Sequence, residues 1–329
     1  MFMQNRVGLG TFPLAGVFHT ISRDKAKELV RLFLKSGGYY IDTAPMYGFG
    51  EVEKLLGEVL KDFPRDKYYL ITKCGYKDVE GKTFKTIPRG AKYEEVIREC
   101  LISLERLNLN FIDLYFVHSP DPIVPYSETM QALKELKRQG KIKHIGVSNV
   151  DLRELKEYGK HGKIEFIQNR FSLINRSINP EFQQFLLEHK IGLIPYQVID
   201  RGQLTESIID GMEMREGDLR IGKSEWLEEK QRLIARWTKV NLLPIAKKLG
   251  ITLGQLSVAW ALHQKYLSFV IIGATNPEFV PINLKANNIK LDKEALNEID
   301  KAYTKLDQEI RQKFGQTIRE FRGLNEKYY

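Results

Sequence analysis

The chain has 329 residues, 43% hydrophobic and 28% charged, which suits one folded α/β domain and excludes a disordered chain. The formal charge of +9 reads as a solvated surface, not a nucleic-acid footprint, because bases alternate with acids in Lys134-Glu135-Leu136-Lys137-Arg138 and no basic block carries interleaved aromatics. No apolar run approaches the ~20 residues of a membrane helix, and Met1-Phe2-Met3-Gln4-Asn5-Arg6 lacks a signal core; with only Cys74 and Cys100 present, a cytoplasmic protein is expected.

Eight short apolar runs are predicted strands: 6–11, 39–42, 68–73, 112–118, 142–148, 165–168, 191–196 and 269–273. They show little polar alternation, as expected of strands covered on both faces. Helical periodicity fills most intervals, at 24–35, 93–107, 127–138, 151–158 and 180–190. Gly37-Gly38, Gly140, Gly192 and Gly250 stand where helices should stop. Before the last strand the interval lengthens to about twice the ~30 residues of a plain βαβ unit. It holds a polar stretch, 206–229, and two helical patterns, 240–249 and 253–264. Further helices are predicted at 292–303 and 307–322. The alternation predicts a parallel sheet, closed as a (β/α)₈ TIM barrel with a long loop and extra helix before the last strand and C-terminal helices; a doubly wound open sheet is the other topology the pattern allows. With neither an internal repeat nor a linker, 1–329 reads as a single domain.

The apolar runs end at Thr11, Asp42, Lys73, His118, Ser148-Asn149, Gln168, Tyr196-Gln197 and Gly273-Ala274, polar at every end but the last. In a barrel, strand C-termini share one rim and carry the chemistry. Asp42, Tyr47, Lys73 and His118 then form a set able to move one proton. A carbonyl that accepts a hydride needs a proton on its oxygen. Tyr47 is the candidate donor, although a phenol's reference pKa is about 10. The Lys73 ammonium favours the phenolate, Asp42 holds Lys73 charged, and His118 orients the carbonyl. Singly, each has a structural reading: Asp as a turn or cap, Lys as solvated, Tyr as amphipathic filler, His as a loop cap. Gly48-Phe49-Gly50 begins like a dinucleotide fingerprint, but Glu53 stands at the third glycine. Neither a His-x-x-x-His pair nor a cysteine cluster points to a metal.

The segments Gly8-Leu9-Gly10-Thr11, Ile41-Asp42-Thr43-Ala44-Pro45-Met46-Tyr47-Gly48, Ile71-Thr72-Lys73 and Asp113-Leu114-Tyr115-Phe116-Val117-His118-Ser119-Pro120-Asp121 resemble the signatures of aldo-keto reductases, in order, over about 6–305. The resemblance implies a (β/α)₈ barrel and NAD(P)H-linked reduction of an aldehyde, ketone or keto-sugar, or the reverse oxidation. It makes Tyr47 the proton donor and Asp42, Lys73 and His118 the rest of a tetrad. A histidine at 118 departs from the family's steroid double-bond reductases, which carry Glu there.

The same resemblance places the dinucleotide. Gly10, Thr11 and Asp42 would lie beside it; Ser148, Asn149 and Gln168 would hold the carboxamide, and Tyr196 would stack on the nicotinamide. The loop Gln197-Val198-Ile199-Asp200-Arg201-Gly202-Gln203-Leu204-Thr205 would embrace the diphosphate, with Arg201 as its cation, Ile199 in its wall and Asp200 paired to Arg201. Gly273, Ala274, Thr275, Phe279 and Asn283 would meet the adenosine end, at the start of a helix ending near Asn288. Many members carry Lys or Arg there for the 2′-phosphate; Gly273, Thr275 and Phe279 replace them, while Thr275 and Asn276 offer hydrogen bonds. NADP(H) is slightly favoured, with NAD(H) possible. A second function is a nucleotide-sensing regulatory subunit like the potassium-channel β subunits. The substrate loops are 12–20, 75–89, 120–126 and 203–226. Lys77, Lys82, Lys85 and Arg89 suggest a polar or anionic substrate, and the segment around Asp42 a sugar-like one. A monomer or small homo-oligomer is expected.

Overall fold

A computed structural model of the chain describes residues 5–18, 20–76, 89–211 and 214–322. Eight parallel strands carry the fold: β1 Val7–Gly10, β2 Tyr40–Asp42, β3 Tyr69–Tyr76, β5 Ile112–Val117, β6 Ile142–Ser148, β7 Phe166–Gln168, β8 Gly192–Leu193 and β9 Val270–Gly273, with β4 Arg89–Gly90 antiparallel on β3. They pair in the order β8-β7-β6-β5-β3-β2-β1-β9. Ser268 N–H donates to Leu193 O at 2.8 Å and Ile271 N–H to Pro195 O at 3.0 Å, so β9 meets β8 and the ring closes. That is the expected TIM barrel, not the open sheet. Pro195 has no N–H to give, which shortens β8 against the expected 191–196.

The period of two along each strand sorts the side chains. Tyr40, Ile71, Leu114, Phe116, Ile194, Phe269 and Ile271 form a core cluster of their own inside the ring, while intervening residues such as Ile41, Leu70 and Tyr115 join the outer core under the helices. Two positions along the same strands lie Asp42 after Tyr40, Lys73 after Ile71 and His118 after Phe116. The rim residues are therefore the top layer of the barrel's filling. Glycine makes the layers below possible. A Cβ on Gly8 would come within 2.9 Å of Tyr40 Cβ, and one on Gly146 within 2.2 Å of the Phe116 ring. Beneath them, Tyr40 stacks on Phe269 at 3.8 Å, and Arg6 donates to Ser268 O and Leu267 O, each at 2.7 Å, tying the bottom of β1 to the approach to β9.

Several elements differ from expectation. Helix Glu51–Leu60 had no place in the reading of the sequence. One helix, Lys293–Phe314, replaces the two expected across 292–322, since no glycine or proline interrupts it, and a short turn of helix, Ile318–Phe321, follows. In the long interval, Glu228–Trp237 passes through a π turn, Thr238–Leu242, into Leu243–Leu249; Pro244, without an N–H, sits at the junction. Gly192 stops no helix. It lies in β8, where a Cβ would meet Ser268 Oγ at 2.0 Å, and Lys190 supplies the left-handed backbone instead, at φ 53°. No helix among the described residues is long and apolar enough to cross a membrane.

Candidate active site

The four tetrad candidates converge. Lys73 Nζ donates to Asp42 Oδ1 at 2.8 Å, Asp42 Oδ2 at 2.9 Å and Thr43 O at 2.8 Å. All three donors of the ammonium are spent on oxygen, which is how so buried a lysine (1% exposed) avoids an unpaired charge. Burial pushes its pKa down from the ordinary lysine value, and Asp42 opposes the shift. Tyr47 follows β2 in a short turn where Gly48 and Phe49 adopt left-handed backbone, at φ 59° and 54°. Its ring lies over the ammonium, 5.3 Å from centroid to Nζ, and is edge-on to His118 at 6.1 Å. Burial, then the charges of Lys73 and Arg89, hold His118 well below the usual imidazole range, so it is neutral at physiological pH. Tyr76, at the end of β3, packs edge-on against the other side of His118 at 5.1 Å.

Gln168 extends the network: its Nε2 donates to Asp42 Oδ2 at 2.8 Å. Ser148 Oγ–H donates to Gln168 O at 2.7 Å. The tetrad end and the expected carboxamide berth are thus one hydrogen-bonded unit centred on Asp42. Two expected dinucleotide ligands sit behind the wall. Thr11 is fully buried, its hydroxyl donating to Asp42 O at 2.9 Å, so it supports the backbone of Asp42 and does not reach the cavity. Asn149, at φ 59°, donates its Nδ2 to the backbone His118 O at 2.8 Å and accepts from Tyr196 OH at 2.6 Å, holding the His118 backbone and the Tyr196 ring.

A cavity of about 440 Å³ opens above the tetrad, inside the range of cofactor pockets. At one end Asp42, Tyr47 and His118 meet Phe12 and Phe18. Gly10, Ser148, Gln168 and Tyr196 continue the wall, then Gln197, Ile199 and Arg201. Gly273, Ala274, Thr275, Phe279 and Asn283 line it as well. The expected adenosine residues therefore share one cavity with the tetrad. The donor set, amides and hydroxyls with a guanidinium among them, fits a dinucleotide. Asn276 is the exception. It is taken by Glu278 at 3.2 Å and does not line the cavity.

The expected pairing of Asp200 with Arg201 is replaced. Asp200 is buried with Arg322, and Arg201 faces the cavity. Three wall residues, Phe18, Glu206 and Arg220, lie in the expected substrate loops but had not been singled out in the sequence. Phe18 and Trp226 sandwich the Arg220 guanidinium at 5.1 and 5.0 Å, and Asp218 holds it through both carboxylate oxygens. Glu206 accepts from Leu253 N–H at 2.8 Å, at the start of helix Leu253–Leu262. The Thr252–Gln255 capping box marked that helix start in the sequence, but nothing marked its closeness to the cavity. Of the four expected substrate loops, 12–20 and 203–226 contribute wall residues and 120–126 contributes none among those described. Lys77, Lys82 and Lys85 lie outside the described residues.

Comparison with known proteins agrees with this geometry. The sequence model of the Aldo/keto reductase family matches residues 6–304. The chain is 33% identical over 277 residues to aldo-keto reductase YhdN of Bacillus subtilis, covering 83% of this chain and 82% of that one. It is 31% identical over 299 residues to the NADH-specific methylglyoxal reductase of Escherichia coli, covering 87% and 91%. A glycerol dehydrogenase from Gluconobacter oxydans superposes with a TM-score of 0.82 at 25% identity, over 94% and 93% of the two chains. The chain belongs to the aldo/keto reductase family and is an NAD(P)H-dependent carbonyl oxidoreductase.

Proposed function

We propose that Tyr47 donates the proton in reduction of a small aldehyde, ketone or keto-sugar to its alcohol, and withdraws it in the reverse direction. The observation that carries this is the buried chain Gln168–Asp42–Lys73 lying directly under the Tyr47 ring. The dinucleotide, when bound, supplies the hydride. Tyr47 passes its hydroxyl proton to the carbonyl oxygen as negative charge develops there. The Lys73 ammonium stabilises the phenolate left behind, and Asp42 keeps that ammonium in place. Neutral His118 has one N–H to donate and aims it at the same oxygen. Afterwards Tyr47 regains its proton from water. Gln168 spends its amide nitrogen on Asp42, so its carbonyl oxygen is the atom offered to the carboxamide, beside Ser148. Tyr196 forms the stacking wall, and Arg201 meets the diphosphate.

Phe12, Phe18 and Tyr47 make the reacting end aromatic and narrow, which favours a compact substrate. Of the two dinucleotides, the wall supports use of both. Thr275 stands where a cation would select the 2′-phosphate, Glu206 brings a carboxylate to the wall, and the Escherichia coli relative is named NADH-specific. The expected NADPH preference should therefore be small, within about tenfold in affinity. The regulatory-subunit reading is not favoured, because the tetrad is assembled with its ion pair intact. We take 1–329 as one domain in a monomer or small homo-oligomer. A cytoplasmic setting suits Cys74 and Cys100, both free and buried.

The test is to titrate the purified protein with NADPH and NADH by fluorescence, then screen aldehydes, ketones and keto-sugars. Turnover of at least one compact carbonyl is expected. Tight nucleotide binding with no turnover across the panel would restore the sensing alternative, and NADPH binding more than about a hundredfold tighter than NADH would refute weak discrimination.

A further inference from the structure

The loop that walls the dinucleotide end of the cavity is gripped from behind. Arg322 is 2% exposed, and its guanidinium donates to the Asp200 carboxylate and to Gln203 Oε1, both buried. These two residues belong to the segment whose Ile199, Arg201, Gly202 and Thr205 line the cavity. The segment thus has two faces, one toward the cavity and one toward Arg322. Its backbone is disfavoured as it stands. Gln197, Asp200 and Arg201 have φ of 56°, 49° and 55°, left-handed values that side chains rarely adopt. Such a conformation persists only where its surroundings over-determine it. The bonds from Gly202 N–H and Leu204 N–H to Ile199 O, at 3.0 and 3.1 Å, are local to the turn. Arg322 is a tie from an element more than a hundred residues away.

That element is itself seated. Thr317 caps helix Ile318–Phe321 by accepting from Glu320 N–H at 3.2 Å. Phe321 is fully buried against Phe314, with centroids 4.9 Å apart. Lys230 lies over the Phe321 ring at 4.9 Å and donates to its carbonyl. Arg322 is therefore delivered to the loop by a packed turn of helix.

We propose that Arg322 is a positioning residue for dinucleotide binding. By holding Asp200 and Gln203 it keeps residues 199–205 in the shape that receives the diphosphate, so it sets nucleotide affinity without touching the nucleotide. This rests on the reading that the dinucleotide occupies this end of the cavity.

The test uses the full chain as wild type, Arg322→Met, Arg322→Lys, Asp200→Asn and the double variant Asp200→Asn/Arg322→Met. NADH and NADPH are titrated by fluorescence, and KM for each substrate, kcat and the unfolding midpoint are measured. Arg322→Met should weaken nucleotide binding about tenfold or more, with kcat at saturating nucleotide and KM for the carbonyl within about twofold. Asp200→Asn should weaken nucleotide binding similarly, and the double variant should be no worse than the singles, because both remove one tie. Arg322→Lys should recover part of the affinity. Unchanged nucleotide affinity with a lowered unfolding midpoint would make the pair a structural support and overturn the proposal. If Arg322→Met does not fold, Asp200→Asn and Arg322→Lys decide by the same readout. A wild type that binds neither nucleotide overturns the cavity reading, and this inference with it; a wild type that binds while the variants bind equally well overturns this inference alone.

Discussion

The proposed reacting end and the proposed nucleotide end of the cavity are built by different means. At the reacting end, Asp42, Lys73 and His118 are the next inward positions of strands whose preceding inward residues fill the barrel. Strand register fixes them, and a one-residue slip would turn them all outward. At the proposed nucleotide end, Arg201 and Glu206 come from a loop held by side-chain ties and left-handed backbone, and Arg220 bridges from Arg201 O to the Phe18 ring of the other end. Precision comes from the sheet in the first case and from particular long-range pairs in the second. Asp42 and Lys73 are thus held by the sheet and His118 stands just beyond β5, while Tyr47 stands on the turn that follows β2.

The strongest way to break this contrast is Tyr47→Phe. Carbonyl reduction should fall by about 10²–10⁴-fold while the nucleotide Kd stays within about twofold. A comparable loss of nucleotide affinity would mean that the two ends are not separable. Next is a pair of glycine substitutions compared by thermal unfolding. Gly146→Ala forces a Cβ to 2.2 Å from the Phe116 ring and should cost about 1–3 kcal/mol. Gly217→Ala has open space but a φ of 83°, and should cost about 1 kcal/mol. If the loop change costs more, the sheet is not the stiffer framework.

A further test is a pH dependence at the strand end. Glu99, under the rim, accepts from Gly75 N–H at 3.0 Å, and burial pushes its carboxyl up to about 8 from 4.5. The folded state then holds this proton more tightly than the unfolded chain. Its stabilising share is full below about pH 4.5, declines as the unfolded chain loses the proton, and is gone above about pH 8. Glu99→Gln should flatten the unfolding midpoint against pH across that window. A variant that keeps the wild-type slope would show that the dependence arises elsewhere.

The same contrast explains what was legible in the sequence. All eight barrel strands could be read because each is a short apolar run, seven of them ending in a polar residue. Asp42, Lys73 and His118 followed from that pattern, and Tyr47 from the motif that contains Asp42. The hairpin partner of β3 left no trace, since Arg89–Gly90 is too short to carry a period. Helix Glu51–Leu60 was hidden by the turn-like Gly48-Phe49-Gly50 before it. Arg220 and Glu206 lie in a polar stretch where every residue reads as solvated, and only folding shows which of them face inward. Arg322 is the extreme case: a buried arginine near the end of a helical pattern looks like any surface base until its partner, more than a hundred residues away, is in place.

The floor beneath the tetrad has a kinetic consequence. Ile71, Leu114 and Phe116 are fully buried and pack below the ion pair, with no polar atom among their side chains. A proton cannot be relayed through such a layer. Among the described residues this layer offers no route through the barrel floor, so the proposed donor Tyr47 would be recharged from the cavity side. Under the proposed mechanism, recharging from that side would compete with ligand occupancy of the cavity.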